Sequence, residues 1–175
     1  MKIFLIGMMG SGKTTVGRML ADKLAYSFAD TDHLIENAAE MKVADIFNHH
    51  GEARFRKLES GVLRKITDDR IVVSTGGGLP CFASNLKWML SKGVVIYLQV
   101  SVDVLTERLM TQNDRPLLSG LTPDGIRSKI SSLMNQRSKF YEKAHFTIDA
   151  DDVPANIVDK IEQMLFAALN KNLSS

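Results

Sequence analysis

The stretch Gly7-Met8-Met9-Gly10-Ser11-Gly12-Lys13-Thr14 constrains this chain more than any other, because it follows the spacing G-x-x-x-x-G-K-[ST] between segments of different periodicity. Before it, Lys2–Ile6 is a short apolar run that reads as a buried strand. After it, Val16, Met19, Leu20, Lys23 and Leu24 recur at helical spacing, with Asp22 and Lys23 marking the wet face. Glycines take backbone conformations closed to residues with a Cβ, so the loop's N–H groups can turn inward on a phosphate. Lys13 supplies a point charge suited to the β- and γ-phosphates, and the Thr14 hydroxyl is a hard oxygen suited to Mg2+. The helix N-terminus beneath adds its dipole. The competing reading, a glycine-rich turn with no ligand, is disfavoured by the strand–loop–helix context. Alone, the octet supports a protein that binds ATP or GTP.

The remaining segments extend the same alternation. Ser27–Ala29, Ile71–Ser74, Val94–Gln99 and Phe146–Ile148 read as further strands, and amphipathic stretches separate them. Continuous apolar runs such as Val94–Leu98 indicate burial on both faces, hence a parallel sheet between helices. The expected fold is α/β, a three-layer α/β/α arrangement around a central parallel five-stranded sheet, built as one domain over residues 1–175. Between the second and third strands, helical signals over Asp32–Glu40, Val43–His49 and Glu52–Ile66 exceed the single helix a crossover needs. This helical insertion, about residues 31–66, is expected to handle substrate. A helix over Phe82–Lys92 should stop at Gly93, read as a C′ residue with positive φ, and Thr122-Pro123 reads as an N-cap followed by proline at N1. Residues 111–122 carry Asn113, Asp114, Pro116, Ser119 and Gly120 without clean periodicity, and read either as a lid loop or as a plain connector.

Composition excludes several classes. The formal net charge of +2 comes from basic and acidic residues mixed along the chain, without the basic stripe a nucleic-acid binder needs. No stretch reaches the ~18 apolar residues of a membrane span, and Ile3–Ile6 is too short for a signal segment. The lone Cys81 makes neither an internal disulfide nor a zinc site, which fits a reducing, cytoplasmic setting. A monomer is the default expectation. His33, His49, His50 and His145 form no metal spacing and read as surface or capping residues. The methionines, Met8 and Met9 included, read as packing fillers.

Many nucleotide-binding loops of this kind work with an acidic residue at the end of a hydrophobic strand. Here Ile71-Val72-Val73 runs instead into Ser74-Thr75 and the triplet Gly76-Gly77-Gly78. The acid must come from elsewhere, and Asp30-Thr31-Asp32 follows the second strand at the sheet edge where open α/β folds bind ligands. Two carboxylates there can split the work, one serving magnesium waters and the other a substrate hydroxyl. The alternative is that either caps the following helix. The triplet permits a ligand to lie against bare backbone, or is a flexible turn; the ordering cost of three glycines favours the first.

The loop Gly7–Thr14, Asp30-Thr31-Asp32, Phe55-Arg56-Lys57-Leu58-Glu59, Gly76-Gly77-Gly78, Arg115-Pro116-Leu117-Leu118 and Arg137-x-x-x-Tyr141 occur in an order and at spacings that closely resemble the shikimate kinase family, over nearly the whole chain. The resemblance implies transfer of the ATP γ-phosphoryl group to the 3-hydroxyl of shikimate with Mg2+, a step toward chorismate and the aromatic amino acids. It places ATP against Gly10, Ser11, Gly12, Lys13, Thr14, Thr15, Arg108, Arg115 and Pro154, and the metal against Thr14 and Asp30. It places shikimate against Asp32, Arg56, Glu59, Gly76, Gly77, Gly78 and Arg137. Lys13, Asp32 and Arg115 take the catalytic positions, Asp32 beside the reacting hydroxyl and Arg115 on the transferring phosphate once the lid closes.

The chemistry of these residue types agrees. Guanidinium groups grip a carboxylate through two parallel hydrogen bonds, which suits Arg56 and Arg137. Glu59, three residues along the expected helix, can pair with Arg56 and restrict its rotamers. From the residues alone Arg56 would equally be a solvated helix face, as Arg54, Lys57 and Arg64 are expected to be. The acidic run Asp149-Ala150-Asp151-Asp152 before Pro154 is unexpected beside a nucleotide. Two rival activities share the glycine loop: another small-molecule kinase acting on gluconate or a nucleoside monophosphate, and a catalytically inactive nucleotide-binding protein. The first should lack the Gly76–Gly78 and Arg56 combination, and the presence of Lys13, Thr14, Asp32 and Arg115 argues against the second.

Overall fold

Alternation along the first strand organises the molecule. In the computed structural model, which describes residues 1–111, 118 and 120–173, β1 (Lys2–Ile6) is buried at every position. Phe4 meets Trp88 edge-on at 6.0 Å on one face. Leu5 points to the other face, where its Cδ1 lies 3.3 Å from the Cβ position at Gly17. Trp88 belongs to α4 (Asn85–Lys92) and Gly17 to α1 (Lys13–Leu24), so successive side chains of one strand contact two helical layers. Each fully buried Ile, Leu or Phe contributes about 1.5–3 kcal/mol relative to exposure.

Among the described residues the five strands are all parallel, in the order β2-β3-β1-β4-β5, with β2 at Ser27–Asp30, β3 at Ile71–Ser74, β4 at Gly93–Gln99 and β5 at Phe146–Asp149. Because β1 has β3 on one side and β4 on the other, chain connections diverge at its carboxyl end and open a crevice there. Register puts Asp30 beside Ser74 and Ser74 beside Leu5, so those side chains share the rim onto which the glycine loop emerges. The other helices are α2 (Thr31–Ala39), α3 (Val43–Arg64), α5 (Val102–Met110), α6 (Pro123–Tyr141) and α7 (Pro154–Leu173). No helix among the described residues is long and apolar enough to cross a membrane.

The helical insertion carries a small core of its own, with Ile35, Ile46, Phe55 and Val62 buried and Leu34, Phe47 and Leu58 packed around them. Its second and third expected helices form one run, α3, broken at Gly51, whose φ of 75° and ψ of 169° are not helical. Several boundaries differ from expectation. Residue 93 is not a left-handed C′ glycine: its φ is −179°, it begins β4, and a Cβ there would collide with the Lys2 backbone, so close strand approach selects glycine. The helix before it starts at Asn85, because Phe82 is extended and the 3-10 turn Leu79–Cys81 precedes it. Met19, expected on the apolar face of α1, is 38% exposed; Gly17 takes the inward place against Phe28. His145 neither caps a helix nor lies on one, and its Nδ1 accepts from Val95 N–H at 3.0 Å.

Candidate active site

The glycine loop turns from β1 into α1 using Gly10 (φ 78°) and Gly12 (φ 86°), two left-handed positions that a side chain would strain. Around it lies a cavity of about 480 Å3 lined by residues 9–16, by Asp30, Asp32 and Ser74–Gly77, and by Arg108, Thr111, Asp152, Pro154 and Ile157. Gly10, Ser11, Gly12, Lys13, Thr14, Thr15, Arg108 and Pro154 are thus brought to one space, although Arg108 and Pro154 come from α5 and α7. Arg115 lies outside the described residues. Lys13 is buried, and its Nζ donates to Met8 O at 2.6 Å and Ser11 Oγ at 3.1 Å across the loop. Arg108 donates to Gly10 O at 3.5 Å and Ala150 O at 3.4 Å, bridging the loop to the acidic segment after β5.

That segment's acids are engaged locally. Asp149 accepts from Asp151 N–H, Asp151 from Ser101 N–H, and Asp152 from Val153 N–H, Asn156 and Lys160. These bonds hold the turn that sets Pro154 and the start of α7 against the cavity, which accounts for an acidic run there.

Asp30 caps α2 and meets the phosphate loop at once. Its Oδ1 accepts from Asp32 N–H at 3.0 Å as the N-cap of α2, while its Oδ2 accepts from Thr14 Oγ1 at 2.7 Å. Ser74 Oγ is 3.3 Å from the same Thr14 hydroxyl. The segment is therefore not extended through Asp32: the helix begins at Thr31, and Asp32 departs from Asp30 by the turn of that helix. No three His, Cys, Asp or Glu side chains converge on a metal-sized point among the described residues. One hydroxyl and one carboxylate oxygen nonetheless suit Mg2+, a hard cation that fills most of its octahedron from phosphate and water.

A second cavity, of about 90 Å3, adjoins the first and shares Met9, Asp32, Gly76 and Gly77 with it. Val43, Phe47 and Phe55 form its apolar wall, and Arg56, Glu59, Gly78 and Arg137 its polar side. Arg56 reaches it from α3, pairing with Glu59 at 2.6 Å and Glu52 at 2.8 Å and lying over Phe82 at 4.5 Å. Glu59 is 1% exposed. Burial pushes its carboxyl up to about 7, against the pull of Arg56 and Arg137 and with the nearby Asp32 adding to the rise. Arg137 is buried on α6, one turn before Tyr141.

The triplet is explained by the protein's own side chains as well as by space for a ligand. A Cβ at Gly76 would lie 2.6 Å from Glu59 Oε1 and 3.0 Å from Asp32 Oδ1; one at Gly78 would lie 2.6 Å from Arg56 Nη1. At Gly77 the neighbours are the Met9 nitrogen and the Gly7 oxygen, at 3.2 and 3.3 Å. Thr31 Oγ1 accepts from Gly76 N–H at 2.8 Å and ties the triplet to α2. Sequence reasoning missed Thr31 and the walls Met9, Val43 and Phe47. Apolar residues at helical spacing look alike whether they line a core or a pocket, and nothing local marks Thr31 as the partner of a residue 45 positions away.

Comparisons with known proteins agree with this geometry. The shikimate kinase family profile matches residues 9–166. A shikimate kinase 2 from Photorhabdus laumondii is 39% identical over 168 residues, covering 95% of this chain and 97% of its own. Among solved structures, shikimate kinase from Acinetobacter baumannii in complex with shikimate superposes with a TM-score of 0.90 at 35% identity, covering 95% of this chain and 93% of that one. Shikimate kinase from Bacteroides thetaiotaomicron gives a TM-score of 0.89 at 36% identity, covering 94% and 97%. A profile that runs from within the phosphate loop through the insertion and α6, together with relatives matched over nearly their full length, shows that this chain belongs to the shikimate kinase family.

Proposed function

We propose that this chain transfers the γ-phosphoryl group of ATP to the 3-hydroxyl of shikimate, giving shikimate 3-phosphate and ADP on the way to chorismate and the aromatic amino acids. One observation carries the reading: a cavity lined by the phosphate loop and a smaller one lined by two arginines meet at a shared wall that includes Asp32. The larger has the glycine loop, Lys13 and a helix N-terminus for a polyphosphate, with Arg108 and Pro154 toward the base. The smaller suits a ring of a few carbons whose carboxylate meets Arg56 and Arg137.

Phosphoryl transfer asks the protein for position and charge more than for covalent chemistry. Lys13 serves the β- and γ-phosphates, which outcompete as charged acceptors the neutral Met8 O and Ser11 Oγ it now contacts. Asp32 lies between the cavities and accepts the hydrogen bond of the attacking hydroxyl, orienting it and taking its proton as the new P–O bond forms. Thr14 Oγ1 and Asp30 would hold Mg2+, which, when bound, neutralises charge on the phosphates. Arg115, within a lid at about residues 111–122, is the further cation for the transferring group, and closure excludes water from ATP. The chain acts as one domain and a monomer, in the reducing cytoplasmic setting that its lone Cys81 fits.

The test is a coupled ADP-release assay with shikimate, gluconate and AMP as competing acceptors. Turnover with shikimate alone is expected. Turnover with gluconate or AMP and none with shikimate would overturn the acceptor while leaving the kinase class in place.

A further inference from the structure

The ladder between β2 and β3 ends at the pair Asp30–Ser74, yet hydrogen bonding between the two segments continues beyond it. Two residues past Ser74, the Gly76 N–H donates to Thr31 Oγ1 at 2.8 Å. Thr31 is the first residue of α2, so its carbonyl turns into the helix, and a short hydroxyl side chain supplies the acceptor that a continuing strand would have supplied. Thr31 is completely buried and Gly76 is buried beside it. The other end of Gly76 is held as well, its O accepting from Leu79 N–H at 3.0 Å where the 3-10 turn begins.

This bond sets a gap at the junction of the two cavities. Asp32 follows Thr31 directly, and its Oδ1 lies 3.0 Å from the position a Cβ on Gly76 would take. Both Asp32 and Gly76 line the wall that the cavities share. On the other side of Thr31, Asp30 is bonded to Thr14 of the phosphate loop at 2.7 Å. The start of α2 is thus anchored twice, to the phosphate loop by Asp30 and to the glycine triplet by Thr31, and Asp32 is carried on that anchored turn.

We propose that Thr31 is a positioning residue for phosphoryl transfer: its hydroxyl holds the Gly76 backbone against the first turn of α2, and so sets the distance between the Asp32 carboxylate and an acceptor hydroxyl lying against the triplet. This rests on the reading above, in which Asp32 accepts the proton of the attacking hydroxyl. Glycine has the widest choice of backbone states, so three in a row present one fixed surface only when tethered from outside. Threonine suits the task because its branched side chain is stiff at χ1. Binding is served elsewhere, the carboxylate by Arg56 and Arg137 and ATP by the phosphate loop, so the tether acts on the rate of the bound complex.

Thr31→Val keeps the shape and removes the acceptor, whereas Thr31→Ser keeps the acceptor and removes a buried methyl. With shikimate, kcat is expected to fall about ten- to hundredfold in Thr31→Val, the effect of a displacement on the order of 1 Å at a reacting group, and to stay within about threefold in Thr31→Ser. KM for shikimate and for ATP should stay within about threefold in both. Both variants should melt below wild type, one for an unpaired buried N–H and the other for a lost methyl, so a role in stability alone would leave the folded chains equally active. The Gly76 amide proton, read by 15N-edited NMR, reports the tether without turnover: its resonance should move upfield in Thr31→Val and far less in Thr31→Ser. That shift in a wild-type chain that does not turn over shikimate would refute the acceptor reading and leave the tether standing. An unchanged kcat in Thr31→Val, equal losses in the two variants, a loss confined to KM, or a Gly76 resonance unmoved in Thr31→Val would overturn the proposal. Should Thr31→Val not fold, Thr31→Ala takes its place, since it differs from Thr31→Ser by the hydroxyl alone.

Discussion

Gly78→Ala separates the stability of the substrate pocket from its function. The added Cβ would lie 2.6, 2.7 and 2.8 Å from Nη1, Nη2 and Cζ of Arg56, where ordinary contact starts at 3.4 Å. The guanidinium must therefore retreat by about 0.8 Å, because atoms inside that distance repel steeply. It is the far end of a flexible side chain, so the fold yields cheaply. An expected loss of about 1 kcal/mol corresponds to a melting temperature lower by about 2–4 °C for a chain of this size. Binding does not yield cheaply. The retreat stretches the 2.6 Å pair with the buried Glu59 and moves the guanidinium away from the acceptor carboxylate. Displacement on the order of 1 Å at a positioning group costs up to ~100-fold, so KM for shikimate should rise roughly ten- to hundredfold. ATP should bind as before, because Gly78 does not line the larger cavity. Gly77→Ala is the contrast: its Cβ meets backbone of the phosphate loop, Met9 N at 3.2 Å and Gly7 O at 3.3 Å, and should weaken ATP as well. Steady-state kinetics with each substrate varied, calorimetric titration with ATP and a thermal melt decide the matter. An unchanged shikimate KM in Gly78→Ala, or equal weakening of both substrates, would refute the reasoning.

Asp32→Asn should abolish ADP release with shikimate while calorimetry still finds near-wild-type ATP affinity; lost ATP binding would instead place Asp32 with the nucleotide. Glu59→Gln should flatten the dependence of stability on pH. Glu59 sits at about 7 in the folded chain against 4.5 unfolded, so the stability it contributes is complete below pH 4.5 and is lost as pH rises through 7. The gap corresponds to at most about 3 kcal/mol. Urea unfolding from pH 4.5 to 8 should show the wild type losing up to that amount relative to Glu59→Gln, and parallel pH curves would disprove the assignment.

Much of this protein was legible one residue at a time. The octet Gly7–Thr14 dictates its own conformation, because spacing within a turn determines which backbone states are needed and which residues can adopt them. Short apolar and β-branched runs located the five strands, and burial on both faces explains why the inner strands β1 and β3 show no polar alternation, whereas the edge strands β2 and β5 are only partly buried. Asp30 and Asp32 were legible because β3 ends in Ser74 where an acid was expected. Tertiary structure decided what local spacing cannot encode. Asp30 serves as both helix cap and Thr14 partner because β2 lies beside β3 in a register that puts it next to Ser74. Gly93 is extended because β4 presses on Lys2, a neighbour 91 positions earlier in the chain. The glycine triplet is small for the sake of Glu59, Asp32 and Arg56, which arrive from two other helices. A glycine announces that space beside the backbone is required. Which atoms fill that space is set by the packing of segments distant in sequence, so only the folded chain identifies them.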